Sequence, residues 1–152
     1  MVNHDTFSCA RTVRADAEGA FRAWSDVEVK KKWFSGPADR WTEADRTFDF
    51  KVGGKETLLG LFKVGGSSFY EATFMDIVPN ERIVYAYRMS VDGELISVSL
   101  STVEFLPDES GTEVKYTEQA AYYHEDMGRE SRQQGTEMLM DNFANSLETA
   151  HA

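Results

Sequence analysis

Residues 129–150, RESRQQGTEMLMDNFANSLETA, predict one long amphipathic helix, and this helix decides the fold. At about 100° per residue, its apolar side chains form one broad stripe. The stripe consists of Leu139, Phe143, Leu147 and Ala150, flanked by Thr136, Met140 and Ala144. A helix with so broad an apolar face is unstable alone in water, so it must pack on the rest of the chain. Gly135 lies at the edge of the stripe and indicates a close backbone approach, since glycine costs a helix interior about 1 kcal/mol relative to alanine.

Length and composition restrict the classes of protein that this sequence can encode. A chain of 152 residues fits a single domain, residues 1–152, whose core needs no disulfide or metal. Its 26 acidic and 16 basic side chains give a net charge of -10, which repels phosphate backbones and anionic lipids, so we expect neither nucleic acid nor membrane as a partner. The sequence shows no signal peptide and no membrane span, and Cys9 is its single cysteine. We therefore expect a cytoplasmic protein, either a monomer or a homodimer.

Ahead of this helix, the sequence predicts one strand, two short helices and then six more strands. The first strand covers residues 5–14, and the helices cover residues 17–24 and the stretch from Ser25-Asp26 to about Trp33-Phe34. The six strands are predicted at residues 48–52, 56–63, 69–78, 82 to about 89, 95–105 and 112–121. Short turns join these strands, which requires an antiparallel meander, and the first strand can pair beside it.

Such a sheet has one face to cover, and the C-terminal helix is the long element left to cover it. The sequence therefore predicts the α+β class, with a strongly twisted antiparallel sheet of about seven strands wrapped around that helix. The two short helices after the first strand close one end. Strands that wrap a helix without closing tightly often leave a cavity between sheet and helix.

Several short segments match a known family in the same order along the chain. They are Arg11–Ala15, Ala20–Trp24, Lys32–Phe34, Phe50–Gly54, Ile77–Tyr85, Thr102–Phe105, Gly111–Thr112 and Thr117–Gln119. This set resembles the domains named after the activator of the heat-shock-protein-90 ATPase, a branch of the START and birch-pollen-allergen-like (SRPBCC) superfamily. The resemblance extends from about Phe7 to Leu147 and implies the helix-grip fold, in agreement with the order of strands and helices.

The resemblance implies less about activity than about fold. Members of the superfamily bind sterols, lipids, polyketides and other apolar molecules between the sheet and the long helix, and a few are cyclases or hydrolases. The eukaryotic co-chaperone that gives the family its name carries a separate N-terminal domain that this sequence lacks, so a chaperone role is not the leading expectation. This branch has no catalytic signature that can be transferred position by position.

Motifs for metal, cofactor or nucleophilic chemistry are missing from the sequence. The three histidines, His4, His124 and His151, are scattered without metal-ligand spacing, and Cys9 has no second cysteine or histidine at such a spacing. There is no G-x-S-x-G elbow, no phosphate loop and no dinucleotide fingerprint. We therefore predict no metal site and no cofactor, and we assign no catalytic residue.

Glu118 is the best polar candidate for a functional residue. It shares strand parity with Val114 and Tyr116, which predicts that its side chain points toward the helix and any cavity. A carboxylate in that position can serve as a general acid or base. The alternatives are a bulge that switches the parity, or an ordinary ion pair with an arginine near the cavity mouth.

Aromatic side chains mark the predicted cavity more broadly. The predicted ligand-binding residues are Trp33, Phe34, Trp41, Phe50, Tyr85, Tyr87, Tyr116, Glu118, Leu139 and Phe143. Packed core is the alternative interpretation of the aromatic residues, and it is the stronger one for Phe143. For Tyr85, Tyr87 and Trp33 both interpretations stay open, since a buried tyrosine needs a hydrogen-bond partner and a cavity with polar groups supplies one.

Three functions are compatible with this sequence. The leading hypothesis is a binding protein for a small apolar or amphipathic molecule held between the sheet and the helix. The second is a module that acts on a chaperone through its acidic surface. The third is an enzyme of the cyclase or hydrolase type, with Glu118 or a cavity tyrosine as general acid or base.

Overall fold

Ten elements follow one another in the order that the sequence predicts: a strand, two short helices, six strands and a long helix. The structure is a computed structural model that describes residues 1–150, with the side chains of residues 1–148, so His151 and the side chain of Ala150 lie outside it. The elements are β1 (Asn3–Val13), α1 (Ala17–Ser25), α2 (Val27–Lys30), β2 (Trp41–Phe48), β3 (Lys55–Phe62), β4 (Ser67–Val78), β5 (Arg82–Val91), β6 (Glu94–Asp108), β7 (Gly111–Tyr122) and α3 (Arg129–Ala150). No helix in the described part is long and apolar enough to span a membrane.

The strands form one antiparallel sheet in the order β1-β7-β6-β5-β4-β3-β2. Short turns and loops join the six later strands into the predicted meander. At the turn between β5 and β6, Asp92 and Gly93 have φ angles of 53° and 80°, which these two residue types adopt more readily than others. β1 pairs with β7, so that Phe7 lies opposite Glu118. This sheet, with one long helix and two short helices after β1, confirms the predicted α+β helix-grip fold.

The long helix α3 places its apolar stripe in the core. Met140 and Phe143 are buried, whereas Leu139 is half-buried. The ring of Phe143 packs against Trp24 and Trp33, with centroid distances of 5.6 and 5.3 Å. Both tryptophans come from the segment after β1, so the short helices and α3 share one core.

Aspartates begin the two short helices. Asp16 and Asp26 each accept a hydrogen bond from a backbone N–H of the first turn, at 2.8 and 2.9 Å. Helix α2 ends at Lys30, earlier than the predicted end near Trp33-Phe34. Further backbone hydrogen bonds to the carbonyl of Lys30, from Trp33 at 3.1 Å and Phe34 at 2.8 Å, wind the chain onward in turns.

The strand predicted at residues 48–52 is wrong, because the chain forms β2 earlier and residues 49–54 form a loop. Phe48 and Phe50 stack with nearly parallel rings 5.8 Å apart, and they do not alternate along a strand. β2 is an edge strand whose residues 42–45 are exposed. It therefore lacks the apolar alternation by which a half-buried strand is predicted.

Gly135 does not mark a close backbone approach, contrary to the prediction. A Cβ atom added to this residue would meet no atom within 4 Å. The close approach occurs at Gly60 of β3, where an added Cβ would collide with the indole ring of Trp41. Gly135 borders open space on one face of α3.

Candidate ligand-binding site

A cavity of about 440 Å³ lies between the inner face of the sheet and α3, within the range of about 300–1,000 Å³ that is common for ligand pockets. Most of its wall is aromatic or aliphatic. The side chains of this kind include Trp24, Trp33, Phe34, Trp41, Leu58, Tyr70, Tyr85, Tyr87, Leu139 and Met140. A second depression, of about 620 Å³, is an open groove lined by five residues of β1 and β7. We place the candidate site in the first cavity, because it is the more enclosed of the two and its wall is mostly apolar.

Glu118 is the centre of a buried polar cluster beside this cavity. Its side chain is fully buried, and its Oε1 accepts hydrogen bonds from the hydroxyl groups of Tyr87 at 2.7 Å and Tyr116 at 2.5 Å. Its Oε2 accepts from the hydroxyl of Ser99 at 3.1 Å and from Nη1 of Arg132 at 3.2 Å. The predicted inward direction of Glu118 is therefore what the structure shows.

Arg132 brings a positive charge from the first turns of α3 to this cluster. Its Nη1 also donates to the hydroxyl of Tyr87 at 2.7 Å, and its Nη2 donates to the hydroxyl of Ser97 at 2.6 Å. Burial works against the charge, but the neighbouring Tyr87 and Glu118 outweigh it and raise the pKa of Arg132. Arg132 lines the cavity with 13% of its side chain exposed, so its guanidinium is accessible from the cavity.

Four tyrosines keep their phenol protons at neutral pH. Burial is the main cause that raises the pKa of Tyr70, Tyr85, Tyr87 and Tyr116 above the ordinary value of 10.0. All four line the cavity. Their hydroxyl groups are therefore neutral, and those of Tyr87 and Tyr116 use their protons in the hydrogen bonds to Glu118.

Two polar atoms near the cavity have no protein partner among the residues that the structure describes. They are the hydroxyl of Tyr70 and Nε1 of Trp24, and both are buried. Both residues line the cavity. A buried donor without a partner costs free energy, so either atom would be stabilised by a hydrogen-bond acceptor in the cavity.

A second buried ion pair, between Lys30 and Glu56, lies next to the aromatic wall of the cavity. Nζ of Lys30 lies 2.6 Å from Oε1 of Glu56, and each side chain is 2% exposed. Nζ also lies 4.6 Å from the ring centroid of Phe34 and 5.6 Å from that of Trp24, two residues of the cavity wall. Burial lowers the pKa of Lys30, and Glu56 opposes that effect. The pair connects α2 to β3 and fixes these rings in place.

Seven of the ten predicted site residues line the cavity: Trp33, Phe34, Trp41, Tyr85, Tyr87, Tyr116 and Leu139. The other three, in the part of the chain that the structure describes, do not. Phe50 lies in the loop after β2 and packs on core phenylalanines. Phe143 is fully buried in the core. Glu118 lies behind the two tyrosines that donate hydrogen bonds to it.

Sequence reasoning missed Arg132, although two patterns could have found the polar cluster. Arg132 precedes Thr136, Leu139 and Phe143 by four, seven and eleven residues, so it falls on the apolar stripe where a charge needs a buried partner. In β6, serines at positions 97, 99 and 101 alternate on the inward face and are all buried. A charge on a helix stripe and hydroxyl groups inside a strand together indicate a buried polar network.

A twisted antiparallel sheet that holds a C-terminal helix, with a cavity between them, places the protein in the START/SRPBCC superfamily. The sequence profile of the Activator of Hsp90 ATPase homolog 1-like family matches residues 14–148, and the chain belongs to that family. No curated protein of known function matches it.

Solved structures resemble the chain over nearly its whole length. An uncharacterized protein from Rhizobium leguminosarum is 37% identical, with a TM-score of 0.90 over 98% of this chain and 97% of that chain. Mll3558 from Rhizobium loti is 35% identical, with a TM-score of 0.88 over 97% of this chain and 99% of that chain. An AHSA1-like protein from Aeromonas hydrophila is 22% identical, with a TM-score of 0.74 over 97% and 94%, and shares the fold alone.

Proposed function

We propose that the protein binds a small amphipathic molecule in the cavity between the sheet and α3. The observation that carries this proposal is the composition of the wall, in which aromatic and aliphatic side chains surround the cavity and one polar cluster lies at its side. This combination is typical of small-molecule sites, where apolar area supplies affinity and a few polar groups fix orientation.

The cavity sets the size of the ligand. Since a water molecule occupies about 30 Å³ in the liquid, 440 Å³ holds about 15 non-hydrogen atoms. Burying about 300 Å² of apolar ligand surface at roughly 25 cal/mol/Å² gives about 7 kcal/mol before the cost of association. Because the cost of association is subtracted from this value, micromolar affinity is the strongest binding that we expect.

Glu118 supports binding more than catalysis. A carboxylate offers about four lone-pair positions, and Glu118 accepts four hydrogen bonds from its neighbours. To act as a general base, it would first have to lose one of these bonds. Its geometry is that of a group that organises the cavity wall.

An uncharged fluorescent probe, N-phenyl-1-naphthylamine, tests this proposal directly. We expect the native protein to bind it, and a ligand at 100 times its dissociation constant to stabilise the fold by about 2.7 kcal/mol. Gly135→Leu, which adds a side chain to the open face of α3 beside the cavity, should weaken binding. The matched control is Gln134→Leu, which adds a leucine to the neighbouring exposed position of the same helix. If the native protein binds no apolar probe, or if both variants bind it equally, the proposal fails.

A further inference from the structure

The charges around the cavity point to the chemical class of its ligand. We infer that the bound molecule is an amphipathic carboxylate, whose anionic end contacts Arg132 and whose apolar body lies against the aromatic wall. This inference rests on the proposed function and makes it more specific.

The cavity wall is cationic although the protein is strongly acidic. The chain has a net charge of -10. Yet the charged residues that line the cavity, among those the structure describes, are Arg40 and Arg132. Glu118, the partner of Arg132, is 0% exposed and lies one layer deeper. The ion pair therefore turns its positive end toward the ligand.

Arg132 has N–H donors to spare for such a group. A guanidinium has five N–H groups. Nη1 uses two on Tyr87 and Glu118 and also lies 3.5 Å from the hydroxyl of Ser99, and Nη2 uses one on Ser97. Within the described residues this leaves the N–H of Nε and one N–H of Nη2 for a further acceptor. A guanidinium with two free N–H groups can bind both oxygens of a carboxylate.

The repulsion from Glu118 does not cancel this attraction. Coulomb energy falls as the inverse of distance, so a ligand oxygen about 3 Å from Arg132 and about 6 Å from Glu118 is attracted about twice as strongly as it is repelled. The missing side chain of Gly135, one turn after Arg132, leaves open space on the same face of the helix. An anionic group with its apolar body attached can approach the guanidinium there.

Three naphthalene probes of similar size and different charge test the inference. They are 1-naphthylacetate, 2-(1-naphthyl)ethanol and 2-(1-naphthyl)ethylamine, each measured by isothermal titration calorimetry at neutral pH and physiological salt. We expect the carboxylate to bind at least about 10-fold more tightly than the alcohol, because hydrogen bonds between charged groups are stronger than those of a neutral group. The amine should bind more weakly than the alcohol.

The variant test must remove both charges of the buried pair. Arg132→Gln alone would leave Glu118 buried without its ionic partner and would destabilise the fold. The double variant Glu118→Gln/Arg132→Gln keeps polar groups in both places, and we expect its ratio of carboxylate to alcohol affinity to fall to about one. Arg88→Gln is the control, since Arg88 is exposed on the outer face of the sheet and should leave the ratio unchanged.

Each outcome decides a different question. Equal binding of the carboxylate and the alcohol by the native protein, or a preference for the amine, would overturn the carboxylate inference and leave the proposed function intact. A preference that persists in the double variant would show that Arg132 is not the anchor. If none of the three probes binds, the proposed function fails, and the inference fails with it. The comparison within the native protein remains decisive even if the double variant does not fold.

Discussion

Substitutions at Gly135 should increase stability and decrease ligand binding at the same time. Gly135 is the seventh residue of α3, and a Cβ atom added there meets no atom within 4 Å. Gly135→Ala should therefore recover the helix propensity that glycine loses, up to about 1 kcal/mol. For a chain of this size, that corresponds to a rise in melting temperature of about 2–4 °C. Urea melts should show a higher midpoint with an unchanged slope.

The larger substitution Gly135→Leu should weaken ligand binding. Leucine adds four carbon atoms where the cavity holds about 15 non-hydrogen atoms. At about 0.3 kcal/mol for each displaced ligand atom, Gly135→Leu should cost about 1.2 kcal/mol of probe affinity, or a little under tenfold. A lower melting temperature for Gly135→Ala would mean that the helix does pack closely at this residue. Unchanged probe binding by Gly135→Leu would mean that the ligand lies elsewhere, and either result would refute the reasoning.

Four further predictions follow from the core, the tyrosines, the second ion pair and the surface. Phe143→Ala should cost about 3–5 kcal/mol in denaturant melts, because Phe143 is fully buried; a loss under about 1 kcal/mol would contradict its place in the core. The free energy of unfolding should fall as the pH rises above about 10. Burial raises the pKa of the cavity tyrosines in the folded chain, so above that pH they lose their protons only when the chain unfolds. Urea melts below and above about pH 10 would show equal stability if these tyrosines were exposed to solvent. Lys30→Met should lower the free energy of unfolding by about 3–5 kcal/mol, because it leaves Glu56 buried and unpaired. The double variant Lys30→Met/Glu56→Leu should recover most of that stability. If the single variant is as stable as the double variant, the pair is not isolated from water. Finally, this protein should not stimulate a purified chaperone ATPase. A several-fold, salt-sensitive stimulation would contradict this expectation. If the cavity variant Gly135→Leu gave the same stimulation, the acidic surface and not the cavity would carry that function.

Most of the fold could be predicted because it follows from local patterns. Helical spacing in residues 129–150, capping aspartates before the short helices and short turns between strands each identify an element from its own residues. The prediction was wrong at β2, where the strand lies at the sheet edge and its exposed residues carry no apolar alternation. It was also wrong about the role of Gly135, since glycine fits both a tight contact and an open space, and one residue type cannot distinguish them.

Strand parity predicted which side chains of the candidate site point to the inner face of the sheet, and nothing more. Parity placed Tyr85, Tyr87 and Tyr116 on the inner face, and all three line the cavity. It also predicted that Glu118 points inward, but it could not show that Tyr87 and Tyr116 lie between the carboxylate and the cavity. The partner of Glu118, Arg132, lies on a different element 14 residues further along the chain, and only the packing of α3 brings the two together.

The two buried ion pairs share one arrangement, and this arrangement fixes the positions of two helices on the sheet. In each pair a carboxylate from the inner face of the sheet meets a cation from a helix: Glu56 of β3 meets Lys30 of α2, and Glu118 of β7 meets Arg132 of α3. Such pairs add little net stability, but a helix that slipped by one turn would leave a buried carboxylate unpaired at a cost of about 3–5 kcal/mol. Each helix is therefore held in one position on the sheet. The cavity lies between the sheet and α3, beside the residues that these pairs hold in place.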